Sequence, residues 1–443
     1  MKYSVSRRNF LVGAPLAATA VAADTSAGGY GKPAVLGGPK TFTGAFPGWP
    51  VYDQTEERAL ADALHTGKWN RGSGQMVSKF EKAYAQLTGA KSCLATANGT
   101  SALFISLNVL GVEPGDEVVV PPYTFIATIN VVLRQHALPV FVDTDLETFQ
   151  MDAHKLEAAI SPQTRAIIPV HLGGSACDLD ALLRIAAKRG VPMIEDACQA
   201  HLGEWKGRKV GTYGQAGCFS FQASKNLNSG EGGAILTNDE DLRERCYAFH
   251  NNGSGLRNIG TSFSYNSSGA NLRMTEFQGA MLLAQMTRIE AQARTRTENA
   301  RYLTSLLKEI PGIAPARMYD GCTRNAYHLY MFRYDKTRFA NLPRSAFLKA
   351  MGAEGIPAAS GYTPLNTQPF LKNALASRGY QRLFPGKVLA EWHERTRCPV
   401  NDRLCEEAVW FTQPMLLAPR SAMDRIAEAV RKIQAHAAEL VKA

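Results

Sequence analysis

The sequence predicts an α/β protein, with a large domain built on a mostly parallel sheet and a smaller C-terminal α+β domain. Three observations carry this reading. From Ser92 onward, short apolar runs alternate with amphipathic stretches, as when helices connect neighbouring strands. A long helix-forming region over residues 275–309 follows and is long enough to link two domains. Beyond it lie a strand-like run at 327–334 and a terminal helix from about Ala422.

The elements follow in order. Residues 1–23 have the layout of a twin-arginine export signal. Ser6-Arg7-Arg8-Asn9-Phe10-Leu11 precedes an alanine-rich apolar run to Ala23, with Ala20-Val21-Ala22 as a small-residue cleavage site. The run is too short to span a bilayer comfortably. The expected destination is periplasmic or extracellular. Residues 24–50, rich in Gly and Pro, read as an extended arm. Helical periodicity covers 55–65 and 77–87. Strands are then expected at 93–97, 117–120, 138–142, 166–170, 192–194, 218–221 and 234–237, and helices at 101–110, 126–134, 154–160 and 179–189. The expected large domain is 51–309 and the small one 310–443.

Composition narrows the function classes. The 443 residues are 45% hydrophobic and 20% charged, ordinary for a globular protein of two to three domain-sized units. The formal net charge is +10, and loss of Lys2, Arg7 and Arg8 with the leader would leave +7. No dense Lys/Arg run with interleaved aromatics argues for a nucleic-acid partner. The positive balance suits anionic ligands or solubility alone. Eight cysteines show no C-x-x-C spacing, which argues against zinc. Cys93 and Cys218 fall in apolar runs as buried hydrophobes, whereas Cys398 and Cys405 could pair after export.

The candidate chemistry sits at strand ends. Lys225 lies in a polar loop after the apolar run Cys218–Phe221 and before the glycine-rich turn Ser229-Gly230-Glu231-Gly232-Gly233. A lysine so placed can form a Schiff base with an aldehyde cofactor. Asp196 and Glu195 terminate another apolar run, where open α/β sheets place their ligands. Asp196 is the better candidate to hold a proton on a pyridine nitrogen, and Gln199 could bond the ring hydroxyl; a plain helix N-cap is the other reading of Asp196. Asn98-Gly99-Thr100-Ser101 opens a helix whose N–H groups could receive a phosphate, or could simply be capped. Ser220 is placed to reach the same phosphate. Phe125, in Pro121-Pro122-Tyr123-Thr124-Phe125, could stack on a flat ring or belong to the core. Asn271 reads as an N-terminal turn residue. Substrate contacts are sought at Tyr123, His171, Trp69 with its neighbours Gly67 to Gly72, His328 and Gln413. A structural hydrogen bond competes for His171, and a core position for His328.

Taken together, these residues resemble the DegT/DnrJ/EryC1/StrS family of sugar and cyclitol aminotransferases, fold-type I enzymes dependent on pyridoxal 5'-phosphate (PLP). The resemblance rests on N-G-T-S-A-L at 98–103, P-P-Y-T-F-I-A-T at 121–128, P-V-H-L-G-G at 169–174 and E-D-A-C-Q-A at 195–200. It continues through G-C-F-S-F-Q-A-S-K-N-L at 217–227, G-E-G-G-A-I-L-T-N-D at 230–239 and N-L-R-M-T-E-F-Q at 271–278. It implies that Lys225 is the Schiff-base lysine, Asp196 the partner of the pyridine nitrogen and Gln199 a further cofactor contact. It implies that Phe125 stacks on the ring, that Thr100, Ser101 and Ser220 cradle the phosphate, and that Asn271 reaches a partner subunit's phosphate in a homodimer. Family members with histidine in place of the lysine dehydrate, so the retained Lys225 favours transamination. Cys398-Pro399-Val400 and Trp410-Phe411-Thr412-Gln413-Pro414 look closer to the scyllo-inosose (cyclitol) aminotransferases. The expected reaction moves an amino group from L-glutamine or L-glutamate to a keto-sugar or keto-cyclitol. The alternatives are PLP-dependent dehydration or elimination, and an exported sugar-binding or sensor protein without turnover.

Overall fold

Four strands in the order Ser92–Thr96, Gly233–Thr237, Ala216–Ser220 and Ile194–Asp196 form one half of the main sheet. Three more, Leu138–Phe141, Glu117–Val120 and Thr164–Ile167, form the other half. Parallel bridges from Ile167 to Met193 and from Val170 to Asp196 join the halves. This structure, a computed structural model, describes residues 30–255, 265 and 267–443; the expected leader and residues 24–29 of the arm lie outside the described residues.

Helices on both faces explain why the strands are apolar throughout rather than alternating. Val118, Val119 and Val120 are all fully buried, as parallel strands covered on two sides require. The exception to the parallel arrangement is Gly233–Thr237, antiparallel to both neighbours. It is the return arm of a hairpin from Ala216–Ser220, and the connection between the arms carries Lys225. Phe221 N–H donates to the Gly232 carbonyl (2.7 Å) and Ser229 N–H to the Phe221 carbonyl (2.9 Å), which closes the base of that connection. Underneath, Phe80, Tyr84, Phe219 and Phe221 meet edge-on or offset with centroids 5.3–5.5 Å apart.

Helix ends follow local chemistry. Asp178 caps Leu179–Arg189, whose other end stops at Gly190 with φ 64°, the left-handed geometry that glycine adopts freely. The region expected as one long helix is two, Glu276–Met286 and Ile289–Leu307. Thr275 and Gln278 form a capping box at the first. The expected strand at 327–334 begins only at Leu329, because Tyr327 has φ 49° and leaves the extended region.

The smaller sheet orders Ile313–Pro315, Leu329–Tyr334, Ala408–Thr412 and Ala359–Ser360, all antiparallel. Its core also takes Ala300, Leu303 and Leu307 from the linking helix and Met423 to Ile433 from the helix Arg420–Ala435. Chain order and packing part company at two places. Helices Pro369–Leu375, Arg378–Leu383 and Gly386–Arg395 return to the large core, where Trp392 Nε1 donates to the Pro139 carbonyl (2.7 Å) and Tyr380 Oη to that of Ala137 (2.8 Å). The N-terminal segment docks on the small domain. There the fully buried Glu354 accepts from Ala34 N–H, Thr41 N–H, Thr41 Oγ1 and Lys432 Nζ, at 2.7–2.9 Å. All eight cysteines are free, Cys398 and Cys405 included.

Phe221→Ala removes a fully buried ring from the aromatic cluster below the lysine loop. It is expected to cost about 3–5 kcal/mol, measured by urea unfolding.

Candidate active site

A cavity of about 610 Å³ opens where four strands of the main sheet end. Asn98 and Gly99 follow the first strand, Thr124 and Phe125 follow Glu117–Val120, Asp196 ends the fifth strand in sequence, and Ser220 ends the hairpin arm. Open α/β sheets place ligands at this edge because loops and helix N-termini converge there.

The carboxylate pair divides its work by strand alternation, since neighbouring side chains point to opposite faces. Asp196 lines the cavity, accepting from Thr128 Oγ1 (2.8 Å) and Cys198 N–H (3.2 Å). Thr124 Oγ1 lies 3.0 Å from Thr128 Oγ1, and because Thr128 gives its proton to Asp196, Thr124 donates to Thr128. Glu195 turns away and is completely buried. It accepts from the N–H groups of Gly211 (2.7 Å), Tyr213 (2.7 Å) and Gly214 (2.8 Å), and its Oε2 lies 2.9 Å from His171 Nε2. His171 Nδ1 accepts from Cys177 N–H (3.2 Å), so its proton is on Nε2 and points to Glu195. Burial raises the Glu195 pKa, but the His171 and backbone hydrogen bonds outweigh it and hold the group below its ordinary value.

Lys225 projects into the cavity from the hairpin loop. Burial lowers the proton affinity of its amine, and the neighbouring Cys198 and Asp196 oppose this only in part. Its Nζ lies 3.4 Å from His328 Nε2. Asn226 Nδ2 donates to the Ala326 carbonyl (2.7 Å), which turns Asn226 Oδ1 toward His328 Nδ1 at 3.3 Å. The network therefore puts the imidazole proton on Nδ1 and leaves the Nε2 lone pair facing Lys225. Burial, Lys225, His201 and Arg296 all hold His328 well below the usual histidine pKa, which keeps it neutral. Gln199 is fixed at both ends, with Oε1 accepting from Gly173 N–H (2.8 Å) and Nε2 donating to Tyr362 Oη (3.1 Å). One N–H of that amide remains for a ligand. Burial pushes the Tyr362 hydroxyl up to about 12, so it stays protonated.

Phe125, 55% exposed, offers its ring to the cavity rather than to the core. Asn98 caps the helix Gly99–Val109 by accepting from Ser101 N–H, and Thr100 and Ser220 complete the cavity wall. Gly99 is required by space and not by a turn: a Cβ there would lie 2.7 Å from Ser220 Cβ and 2.9 Å from Cys198 Sγ. The set fits PLP. A ring platform, a carboxylate, an amine and a helix N-terminus surround a volume with no room for added atoms at Gly99.

Eight expected residues thus share one cavity: Gly99, Thr100, Phe125, Asp196, Gln199, Ser220, Lys225 and His328. Six do not line it. Ser101 spends both its N–H and its hydroxyl on the Asn98 side chain. Tyr123 is buried in a cluster with Phe149 and Tyr362. His171 is the structural partner of Glu195. Gln413 is buried and accepts from Arg296 Nε (2.8 Å). Trp69 stacks near Phe277, with 5.8 Å between centroids, and Asn271 is exposed beside Asn251. Thr124, Thr128, Cys198, Glu231 and Tyr362 line the cavity without having been expected. Thr124 and Thr128 lie four apart at a helix start, a readable signal; Tyr362 comes from a distant loop and offers none.

The DegT/DnrJ/EryC1/StrS aminotransferase family profile matches residues 50–431. The chain is 35% identical over 419 residues to the L-glutamine:scyllo-inosose aminotransferase of Streptomyces griseus, covering 90% of this chain and 97% of that protein. Among solved structures, that of 3-amino-5-hydroxybenzoic acid (AHBA) synthase superposes with a TM-score of 0.79 at 34% identity, covering 89% of this chain and 99% of that one. DesV of S. venezuelae, solved in complex with a ketimine intermediate, superposes with a TM-score of 0.74 at 28% identity, covering 86% of this chain and 94% of that one.

Because the folded Glu195 carboxyl sits below 4.5, its contribution to stability is complete above that pH. It disappears as pH falls through the lowered value. Glu195→Gln is expected to cost about 1.5–3 kcal/mol at neutral pH and to flatten the acid limb of the stability profile, read from urea midpoints.

Proposed function

We infer the reaction from the premise that this chain belongs to the DegT/DnrJ/EryC1/StrS aminotransferase family: the protein is a PLP-dependent aminotransferase that moves an amino group from L-glutamine or L-glutamate to a keto-sugar or keto-cyclitol. One observation carries the site reading. Lys225 and Asp196, 29 positions apart in sequence, converge on a cavity with an exposed aromatic ring.

Bound PLP supplies an aldehyde for the amino group and a ring that draws electrons from the donor's Cα–H bond. Asp196, held by Thr128 and Cys198 N–H, would keep a proton on the ring nitrogen. Phe125 would stack on the ring, and the N-terminus of Gly99–Val109 with Thr100 and Ser220 would receive the phosphate. Gln199 would offer its remaining N–H to the ring hydroxyl. Burial lowers the proton affinity of Lys225 Nζ, which favours its role as a base, and with the cofactor bound it would move a proton between the donor's Cα and the cofactor's aldehyde carbon. His328 Nε2 accepts from that amine and aims it.

The acceptor reading leans toward keto-cyclitols, supported by the Streptomyces griseus relative and by the 398–400 and 410–414 segments. The proposal extends to a homodimer in which exposed Asn271 completes the partner's phosphate site, and to twin-arginine export of the folded, cofactor-loaded enzyme. The Arg7-Arg8 leader and its Ala20-Val21-Ala22 site support the latter.

L-Glutamine is expected to bleach the visible absorption band of the purified protein. Lys225→Ala should lose that response and transaminate at least about 10²-fold more slowly. A protein colourless after incubation with PLP would sink the assignment. Sedimentation at twice the chain mass, and cytoplasmic retention of an Arg7→Lys/Arg8→Lys variant, are the expected results for assembly and export; a monomer, or unimpaired secretion, would refute them.

A further inference from the structure

Arg296, on the linking helix Ile289–Leu307, is fully buried, and no carboxylate opposes the burial that draws its pKa down to about 9. The guanidinium is therefore still charged at neutral pH. Its Nε donates to Gln413 Oε1 (2.8 Å), and its Cζ lies 5.2 Å from the centre of the Trp49 ring. That bond assigns the Gln413 amide and leaves its NH₂ group over. Four buried nitrogens on these three residues, Arg296 Nη1 and Nη2, Gln413 Nε2 and Trp49 Nε1, have no hydrogen-bond partner among the described residues. All four are donors.

A buried charge without a counter-ion is among the costliest arrangements in a folded protein. The titratable groups nearest in electrostatic effect, His201 and His328, are themselves held neutral by burial and bring no negative charge. Arg296 and Gln413 are buried within this chain, out of reach of another subunit's side chains, whereas a small ion can enter past the half-buried Trp49 by local opening. Donors without acceptors around a fixed positive charge are the chemistry of an anion site. We propose that Arg296, Gln413 and Trp49 enclose a site for one small inorganic monoanion of about chloride size, at the junction of the N-terminal segment, the linking helix and the C-terminal domain. The ion would supply the missing counter-charge and tie these three parts together. None of the three residues lines the cavity.

The test uses the PLP-loaded protein freed of halide by dialysis into sodium gluconate. Sodium bromide, at constant ionic strength, is expected to raise Tm saturably by about 2 °C or more. Crystals from bromide should show an anomalous peak in contact with the Arg296 guanidinium. Trp49→Phe, which keeps the ring and removes one donor, should shift the bromide midpoint to higher concentration, and Arg296→Met should abolish the dependence. If Arg296→Met fails to fold, the anomalous peak and Trp49→Phe still decide. Water alone at the site, or a Tm that responds equally to gluconate and bromide, would overturn the proposal.

Discussion

The Glu195 carboxylate is the constraint on which the rest of the site depends. It sits in the middle of a three-residue strand and binds three backbone N–H groups of the loop at 211–214, together with His171. That loop leads directly into Ala216–Ser220, the strand whose far end launches the lysine loop. A buried carboxylate with its lone pairs filled is stable only in this arrangement, so the register between the two strands is set chemically as well as by the ladder. With Glu195 committed to one face, alternation delivers Asp196 to the other, within the same cavity as Lys225.

Close packing does for the opposite wall what Glu195 does for the floor. Gly99 meets Ser220 and Cys198, and a Cβ at Gly233 would lie 2.3 Å from the Asn98 carbonyl. The hairpin therefore presses against the start of Gly99–Val109, where the N–H groups of Gly99 and Thr100 have no partner among the described residues. The approach that excludes side chains here also brings the N-terminal end of the helix within reach of Ser220. Burial then tunes the chemistry. It lowers the proton affinity of Lys225 and keeps His328 neutral, so the two nitrogens can share a hydrogen bond without two like charges facing each other.

The two domains are interleaved rather than strung in order. Helices between 369 and 395 brace the large sheet through Trp392 and Tyr380, while the N-terminal segment is clasped by Glu354 and Lys432 of the small domain. A third cluster, with Tyr123, Val170, Leu329 and Met331, packs between them. His328 and Tyr362 reach the cavity only because this packing holds the C-terminal part of the chain over the strand ends.

The sequence by itself determined the α/β class, most elements of the large domain to within a few residues, and seven of the residues that line the cavity. Those features are local: apolar runs, caps, glycine-rich turns and short motifs at strand ends are written in consecutive residues. Lys225, Asp196, Gln199, Phe125, Gly99, Thr100 and Ser220 were readable because each lies beside such a signal. Tertiary structure alone decided what depends on contacts between distant segments. It turned His171 to Glu195, Tyr123 to the core and Gln413 to Arg296, and it recruited Tyr362 to the cavity. A polar residue next to a strand end is the same word in the sequence whichever face it takes. Only packing, through burial and the pairing of each donor with an acceptor, says whether it serves the ligand or the fold.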